Sequence, residues 1–390
     1  MGGAHLLVIE RWTSCMHASG IENCIDQQKL QAISNAVLHK NDGQLIEWSY
    51  HSIGTGERNF VTGGVFRVTG ITKLRDAERR SWSVILKVVK QDPTCDSTSH
   101  YNYWRREVEA YQSGLLQQLP ANFVTPKCFS IDHLDDGSIW LWLEDVGHEL
   151  QQWDKDAYRL ACKRLGQFQA AYLVGETLPS NEWINSRWMR SWIQECMSYR
   201  SELDEGAIEQ LLSDERLSAI MLSLNQLEDA VGDWISALER LPRVFAHQDY
   251  YEQNILLRKD QQPDDPVMLI DWQFASISGI GEDLGRFLGL AVSRGHVPIE
   301  HFAQYRELFF ASYMEGLRES GWTGESELSR FGFIASFAMR AVWEAPKLLR
   351  WFQNKPGSSD NDKLLLIVQY QMEAAMEAAE LYSQLTFKHS

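Results

Sequence analysis

The sequence predicts an α+β fold in two parts. An antiparallel sheet with one helix comes first, and a mainly α-helical remainder follows. Three observations carry this. The chain has 390 residues, enough for two domains. Short apolar runs with period-two alternation and glycine-bearing turns occupy roughly 48–143. From Asp156 onward, apolar positions recur at helical spacing almost to the C-terminus. The boundary falls at the break after the last early strand, giving 1–146 and 147–390.

Element by element, Leu30, Ile33 and Val37 share helical spacing and predict a helical lead-in over the first ~40 residues. The pattern turns β-like from Trp48. Two glycine-bearing stretches, at Gly54–Gly56 and Gly63–Gly64, precede the run Val65-Phe66-Arg67-Val68. Glycine allows the close backbone approach that a phosphate-covering loop needs. Neither G-x-G-x-x-G nor G-x-x-x-x-G-K-[ST] is present, so an ordinary hairpin turn accounts for the glycines equally well. In the strand at 82–89, alternation sets Trp82, Val84, Leu86 and Val88 on one face and Ser83, Ile85, Lys87 and Val89 on the other. Lys87 on an apolar face suits a phosphate-binding lysine. A lysine stem lying along apolar surface is the alternative.

The next segment, Y-W-R-R-E-V-E-A-Y-Q-S-G-L-L, places Trp104, Val108, Tyr111 and Leu115 on one helical stripe. Glu107 borders that stripe and Glu109 faces away. An acid beside an apolar face needs a partner. Lys87 is the expected one, matching the strand-lysine to helix-glutamate pair by which kinases orient a phosphate-contacting lysine. Ile139–Leu143 is then an apolar strand that breaks at Glu144-Asp145-Val146-Gly147. This reads as a hinge whose backbone, at Glu144 and Val146, is suited to hydrogen-bonding an adenine edge.

Helical patterns follow at 156–174, 187–200, 206–238, 299–318, 328–353 and 361–385, with a loop expected at 355–362. Phe331, Phe333, Ile334, Phe337, Ala338, Val342 and Trp343 predict a buried helix. Trp183, Trp188 and Trp192 cluster, as do Trp343 and Trp351. Aromatic faces can hold a cation, although core packing is their commoner use. Glu195, Glu202, Asp204 and Glu205 could meet an amine, or could form a solvated face.

The chemistry concentrates between His247 and Asp283. H-Q-D-Y-Y-E-Q-N at 247–254 is followed by L-I-D-W-Q at 269–273 and G-E-D-L at 281–284. Asn254–Arg258 and Val267–Ile270 flank K-D-Q-Q-P-D-D-P, a dense turn signal, and predict a β-hairpin. Antiparallel pairing puts Asn254 and Asp271 at the same end, and the preceding loop delivers Asp249 there. A carboxylate, an amide oxygen and a second carboxylate are oxygen donors suited to Mg²⁺. His247, Asp249, Asn254 and Asp271 have the types and spacing of a kinase catalytic loop and its metal-binding aspartate.

The formal net charge of −16 opposes non-specific nucleic-acid binding and favours a cationic small substrate, or simply confers solubility. No apolar run is long enough to span a bilayer, and the N-terminal apolar patch is too short for a signal peptide. Six scattered cysteines form no C-x-x-C, so reduced thiols and the cytoplasm are expected.

Together these segments resemble the aminoglycoside phosphotransferase-type small-molecule kinases, in the superfamily that includes choline kinases. S-V-I-L-K-V-V at 83–89, R-R-E-V-E-A-Y at 105–111, L-W-L-E-D-V at 141–146 and L-G-Q-F-Q-A-A-Y-L at 165–173 carry the resemblance with the two motifs above. It extends in order from about residue 50 to 290 and implies a bilobal protein-kinase-like fold with a five-stranded first lobe. By motif it implies Asp249 as catalytic base, and Asn254 and Asp271 as Mg²⁺ ligands. Lys87 would contact the phosphates of ATP or GTP, and Glu107 would orient it. His247 and Asp283 would brace the loop. The acceptor expected first is an aminoglycoside or other cationic antibiotic, with choline, sugar or amino-alcohol acceptors as alternatives. Two positions depart from the pattern. Gln248 stands where glycine is usual, and Tyr251 where histidine is common. A protein kinase fits less well. Asp271-Trp272-Gln273 replaces D-F-G, only 283 − 271 = 12 positions separate Asp271 from Asp283, and A-P-E is missing. A non-catalytic nucleotide-binding pseudokinase and a metallohydrolase using His247 and Asp249 are the alternatives from other classes.

Overall fold

The computed structural model describes residues 25–53, 61–147, 152–198, 214–262, 264–354 and 359–385. The fold is α+β, with an antiparallel sheet first and helices after, and the chain divides into two compact units. One is Met1–Gln91 with Pro126–Gly147; the other is Asp92–Thr125 with His148–Ser390.

The first unit is built on a five-stranded sheet of β1 (Gln44–Ser52), β2 (Thr62–Lys73), β3 (Arg79–Val89), β5 (Cys128–His133) and β6 (Ile139–Glu144). Their order is β1-β2-β3-β6-β5, and every neighbouring pair is antiparallel. Helix α1 (Gln27–Leu38) starts where the Asp26 side chain accepts from the Gln28 N–H at 3.0 Å. Its Leu30 and Ile33 pack against Val68, Trp82, Val84, Leu86, Val88, Trp140 and Trp142. Burying each such side chain stabilises by about 1.5–3 kcal/mol. This core uses the even-numbered face of β3, as alternation predicts. Lys87 is therefore on the face away from α1.

The second unit contains β4 (Phe123–Val124), β7 (Arg243–Ala246), β8 (Ile255–Leu256), β9 (Val267–Leu269) and β10 (Ser276–Gly279), with β4-β9-β8 in one sheet and β10-β7 in another. Its helices are α2 (Arg106–Gln112), α3 (Lys155–Val174), α4 (Trp188–Ser198), α5 (Glu215–Leu238), α6 (Glu282–Ser293), α7 (Phe302–Glu319), α8 (Ser326–Met339), α9 (Ala341–Asn354) and α10 (Ser359–Gln384). Helices α3 and α7 meet backbone to backbone at two glycines. A Cβ at Gly166 would press on the Tyr313 carbonyl, and one at Gly316 on the Lys163 carbonyl. Gly281 (φ 88°) opens α6, and Gly285 on α6 lies against the Phe333 carbonyl of α8. The start of α6 is thus held against α8.

Several local expectations change. A sequence boundary at 146 puts 92–125 with the sheet, but the contacts group it with the helical unit. The buried Arg106 explains the grouping. Its guanidinium donates to the carbonyls of Trp183 and Gln273, both in the helical unit. The stripe expected through Leu115 ends sooner. Gly114 (φ 74°) terminates α2, and Leu116 is buried in Leu115's place. The single helix expected at 328–353 is two, parted at Arg340. Trp343 is consequently 40% exposed rather than part of the buried stripe. Helix α10 starts at Ser359, inside the loop expected at 355–362. Asp360 and Asp362 in its first turn favour a helix N-terminus. Residues 355–358, Gly54, Gly56, Glu202, Asp204 and Glu205 lie outside the described residues.

Candidate active site

Strand β7, paired with β10 through Ala246 and Ser276, delivers the chain to His247. Asp283, fully buried in the first turn of α6, accepts from the His247 N–H through Oδ2 and the Gln248 N–H through Oδ1, each at 2.8 Å. These bonds hold Gln248 in the left-handed region at φ 61°. Burial pushes the Asp283 carboxyl up to about 6, partly offset by the two N–H donors and Arg286.

The Asp249 N–H donates to His247 Nδ1 at 3.3 Å, so the ring proton sits on Nε2. Nε2 then donates to the Ile270 carbonyl at 3.0 Å. The ring packs 4.6 Å from Trp272, which stacks on Phe245 at 5.8 Å. His247 thereby ties the loop to the residue just before Asp271.

The hairpin forms as its pattern predicts. Ile255 pairs with Leu269 and Leu256 with Met268, and the Ile270 N–H reaches the Asn254 carbonyl at 3.0 Å. Asn254 and Asp271 therefore share one end. Asn254 Nδ2 donates to Asp249 Oδ2 at 2.8 Å and to the Asp249 carbonyl at 2.9 Å. With the nitrogen so engaged, the amide oxygen is the atom available to a cation. Burial and the negative charge of Asp271 push the Asp249 carboxyl up to about 6, against the pull of Arg286, Arg294 and Asn254. Two neighbouring carboxylates beside an amide oxygen form a donor set that fits a hard divalent cation such as Mg²⁺. Among the described residues no group of three His, Cys, Asp or Glu side chains is arranged to hold a metal.

In the first unit, Lys87 is 8% exposed and lies between Val65 of β2 and Leu141 of β6. At the end of β6 the Glu144 N–H donates to the Lys127 carbonyl at 2.8 Å, and its carboxylate accepts from the Lys127 N–H at 3.1 Å. Val146 follows two residues later. In the second unit, Glu107 is buried on α2, at 1% exposure. Lys87 and Glu107 belong to different units.

A family model described as the ecdysteroid kinase-like family matches residues 57–321, more than half of the chain. The chain belongs to this family. No curated protein matches it. Among solved structures, an amicoumacin kinase in complex with AMP-PNP, Ca²⁺ and its ligand is 12% identical, with a TM-score of 0.50 over 91% of this chain and 95% of that one. An aminoglycoside phosphotransferase-like protein from Ralstonia eutropha is 14% identical, with TM-score 0.46 over 91% and 98%. A Plasmodium vivax ethanolamine kinase is 13% identical, with TM-score 0.44 over 83% and 82%. This ecdysteroid kinase-like chain is thus a kinase with the protein-kinase-like fold that small-molecule kinases share.

In this ecdysteroid kinase-like chain the structure adds residues that the motifs pass over. Asp145, skipped between Glu144 and Val146, accepts from Arg67 Nε and from the Ser83 hydroxyl, both at 2.7 Å. Burial pushes its carboxyl up, but Arg67 and Ser83 outweigh this and hold it below the usual range. Period-two alternation put Ser83 and Lys87 on one face; it gave no sign that Arg67 and Asp145 would meet there. Arg286 donates to the Gln248 carbonyl at 2.5 Å and lies 4.2 Å over Trp188 and 4.9 Å over Trp192. The tryptophan cluster does hold a cation, and it is the protein's own. Gln248 is fully buried, and neither end of its amide has a hydrogen-bond partner among the described residues. At Tyr251, the other departure, the ring is buried under Arg294 at 4.6 Å.

Proposed function

We propose that this chain transfers the γ-phosphoryl group of ATP or GTP to a hydroxyl of a small molecule. The observation that carries this is the Asp249–Asn254–Asp271 constellation, braced by His247 and Asp283. Asn254 and Asp271 would hold Mg²⁺, which when bound neutralises the phosphate charge. Lys87 would bind the phosphates, with Glu107 orienting it, and the backbone at Glu144 and Val146 would take the base. Asp249 Oδ2 accepts from Asn254, which fixes the carboxylate plane. Asp249 would orient the acceptor hydroxyl and take its proton as the new P–O bond forms. Most of the rate would then come from positioning and electrostatics. Lys87, Asp249, Asn254 and Asp271 are all present, which speaks for a catalyst over a pseudokinase.

For the acceptor, the net charge of −16 supports a cationic molecule such as an aminoglycoside. A specific observation supports a second reading. Apart from Asp271, the strongest charged influences on Asp249 are Arg286 and Arg294. Glu195, one of the acids offered for an amine, lies 3.8 Å from His100 instead. Cationic surroundings favour a neutral, hydroxyl-bearing acceptor, and the family's name points to a hydroxylated sterol. A nucleoside triphosphate donor fits a cytoplasmic reaction.

A coupled nucleotide-turnover assay across aminoglycosides, choline analogues, sugars and polyhydroxylated sterols, with ATP and GTP in parallel, tests this. Asp249→Asn should lower turnover by about 10²–10⁴-fold with nucleotide affinity nearly unchanged. Near-normal turnover in that variant would remove Asp249 from the role of base.

A further inference from the structure

Asp271 sits in the left-handed region at φ 61° and ψ 69°, a conformation that aspartate adopts less readily than glycine. Something must hold it there. The residues after it form a single 3-10 turn, Trp272–Phe274, and within that turn Gln273 is 4% exposed. The Gln273 amide donates through Nε2 to the Tyr103 carbonyl at 2.6 Å and to Asn102 Oδ1 at 3.4 Å. In return, the Gln273 carbonyl accepts from Arg106 Nη1 at 3.3 Å. Arg106 is fully buried and begins α2, one residue before Glu107. Its guanidinium also donates to the carbonyls of Tyr101 at 2.6 Å, His100 at 2.8 Å, Thr98 at 3.0 Å and Trp183 at 3.4 Å.

The chemistry of this cluster is unusual for a buried arginine. Among the described residues, each hydrogen bond from the Arg106 guanidinium ends on a main-chain carbonyl. Burying a guanidinium is costly even where a carboxylate accompanies it. Here burial pulls its proton affinity down to about 9, which leaves it charged at neutral pH. Carbonyl dipoles do not move as a side-chain carboxylate can. A cation tied to five of them fixes the loop at 98–101, the start of α2 and the Gln273 turn relative to one another.

We infer that Arg106 and Gln273 are positioning residues, a latch that joins the segment bearing Asp271 to the helix bearing Glu107. The inference rests on the reading of Asp271 as a cation ligand. Kinases that are switched move these two elements independently, ordering or displacing them to turn catalysis on and off. Here the two are bonded through two buried side chains within one compact unit. The cation site is therefore assembled before substrate arrives. Gln273 takes a role that neither Phe nor Gly of the D-F-G pattern could take, because its amide and its carbonyl bond opposite partners.

The test is calorimetric titration of the full chain with AMP-PNP, with Mg²⁺ and separately in EDTA. Gln273→Met keeps the side chain's length and apolar packing but removes the amide, and Gln273→Ala removes both. Both variants should bind Mg²⁺·AMP-PNP about tenfold more weakly, with metal-free AMP-PNP within about twofold of wild type. Melting curves recorded alongside keep a folding defect separate. Wild-type behaviour in Gln273→Met would show that packing alone matters and would overturn the latch. Equal losses with and without Mg²⁺ would also overturn it, since they mark a general structural defect. Asp271→Ala in the same titration separates the two levels of the reading. Loss of Mg²⁺ dependence there, but not in Gln273→Met, refutes the latch alone. Retention of Mg²⁺ dependence in Asp271→Ala refutes the ligand assignment and the latch with it.

Discussion

Replacing Asp283 with asparagine should separate stability from catalysis, and the structure gives the size of each effect. The Asp283 carboxyl, normally near 3.8, is raised to about 6 by burial. A carboxylate whose proton affinity rises on folding loses stability as pH climbs from about 4 to about 6, and the full cost of about 3 kcal/mol is present above that window. The amide introduced by Asp283→Asn would carry no charge and escape this cost. However, its one oxygen can accept from only one of the His247 and Gln248 N–H groups. A buried N–H left facing an amide nitrogen costs about 1–3 kcal/mol. The two terms nearly cancel, so Asp283→Asn at pH 8 should unfold in urea within about 2 kcal/mol of wild type. At pH 5 wild-type Asp283 is largely protonated, and the variant should compare less favourably by about 1 kcal/mol. Catalysis has no such compensation. The left-handed turn at Gln248 loses one of its clamps, and Asp249 is the next residue. Misplacement of a catalytic group by about 1 Å costs on the order of 10²-fold in turnover. The assay pairs urea denaturation at both pH values with turnover on the best acceptor from the panel. A variant that keeps turnover within about twofold of wild type would refute the claim that Asp283 positions Asp249.

Two further predictions concern the frame. Burial pushes Glu282 up to about 7 against the pull of Arg243 and the Gly279 N–H, so stability is lost as pH rises from about 4.5 to about 7, and only a small part of that loss is present at pH 5. Glu282→Gln should therefore stabilise the protein at pH 8, by at most about 3 kcal/mol, and leave it near wild type at pH 5. Parallel stability profiles for the two proteins would contradict this. At Gly316 an added methyl would press on the Lys163 backbone, whereas Gly232, in α5, has open space around the same position. Gly232→Ala should gain about 1 kcal/mol from helix preference, while Gly316→Ala should lose about 1–3 kcal/mol net through overpacking. Denaturation midpoints that moved in the same direction would show that the α3–α7 contact is not what constrains Gly316.

The elements that were legible in the sequence are those whose signal is local. Alternation in 82–89 separated the core face of β3 from the face of Lys87, because a strand's side chains can point only two ways. Two apolar runs about a proline-rich turn gave the hairpin, and the hairpin placed Asn254 and Asp271 at one end. The failures occurred where a long-range contact outweighed the local pattern. Nothing in 328–353 announces a break at Arg340, whose guanidinium bonds Glu344 within the same stretch but also Ser293 on α6. Trp343 looks like core by spacing and is exposed because the helix restarts after that break.

The sequence by itself pointed to a kinase, since the types and spacing of His247, Asp249, Asn254 and Asp271 are set along a short piece of chain. It also determined the order of sheet and helices. Only the tertiary structure decided what holds that chemistry in place. Asp283 reaches back across 36 residues to two loop N–H groups, and Gln273 reaches across 170 to Tyr103. Arg286 lies on two tryptophans from a distant helix. Hydrogen bonds and ring contacts depend on position in space, and a buried polar group takes whichever partner the fold brings to it. Spacing along the chain therefore singles out the candidate residues, while their supports become visible only once the chain has closed on itself.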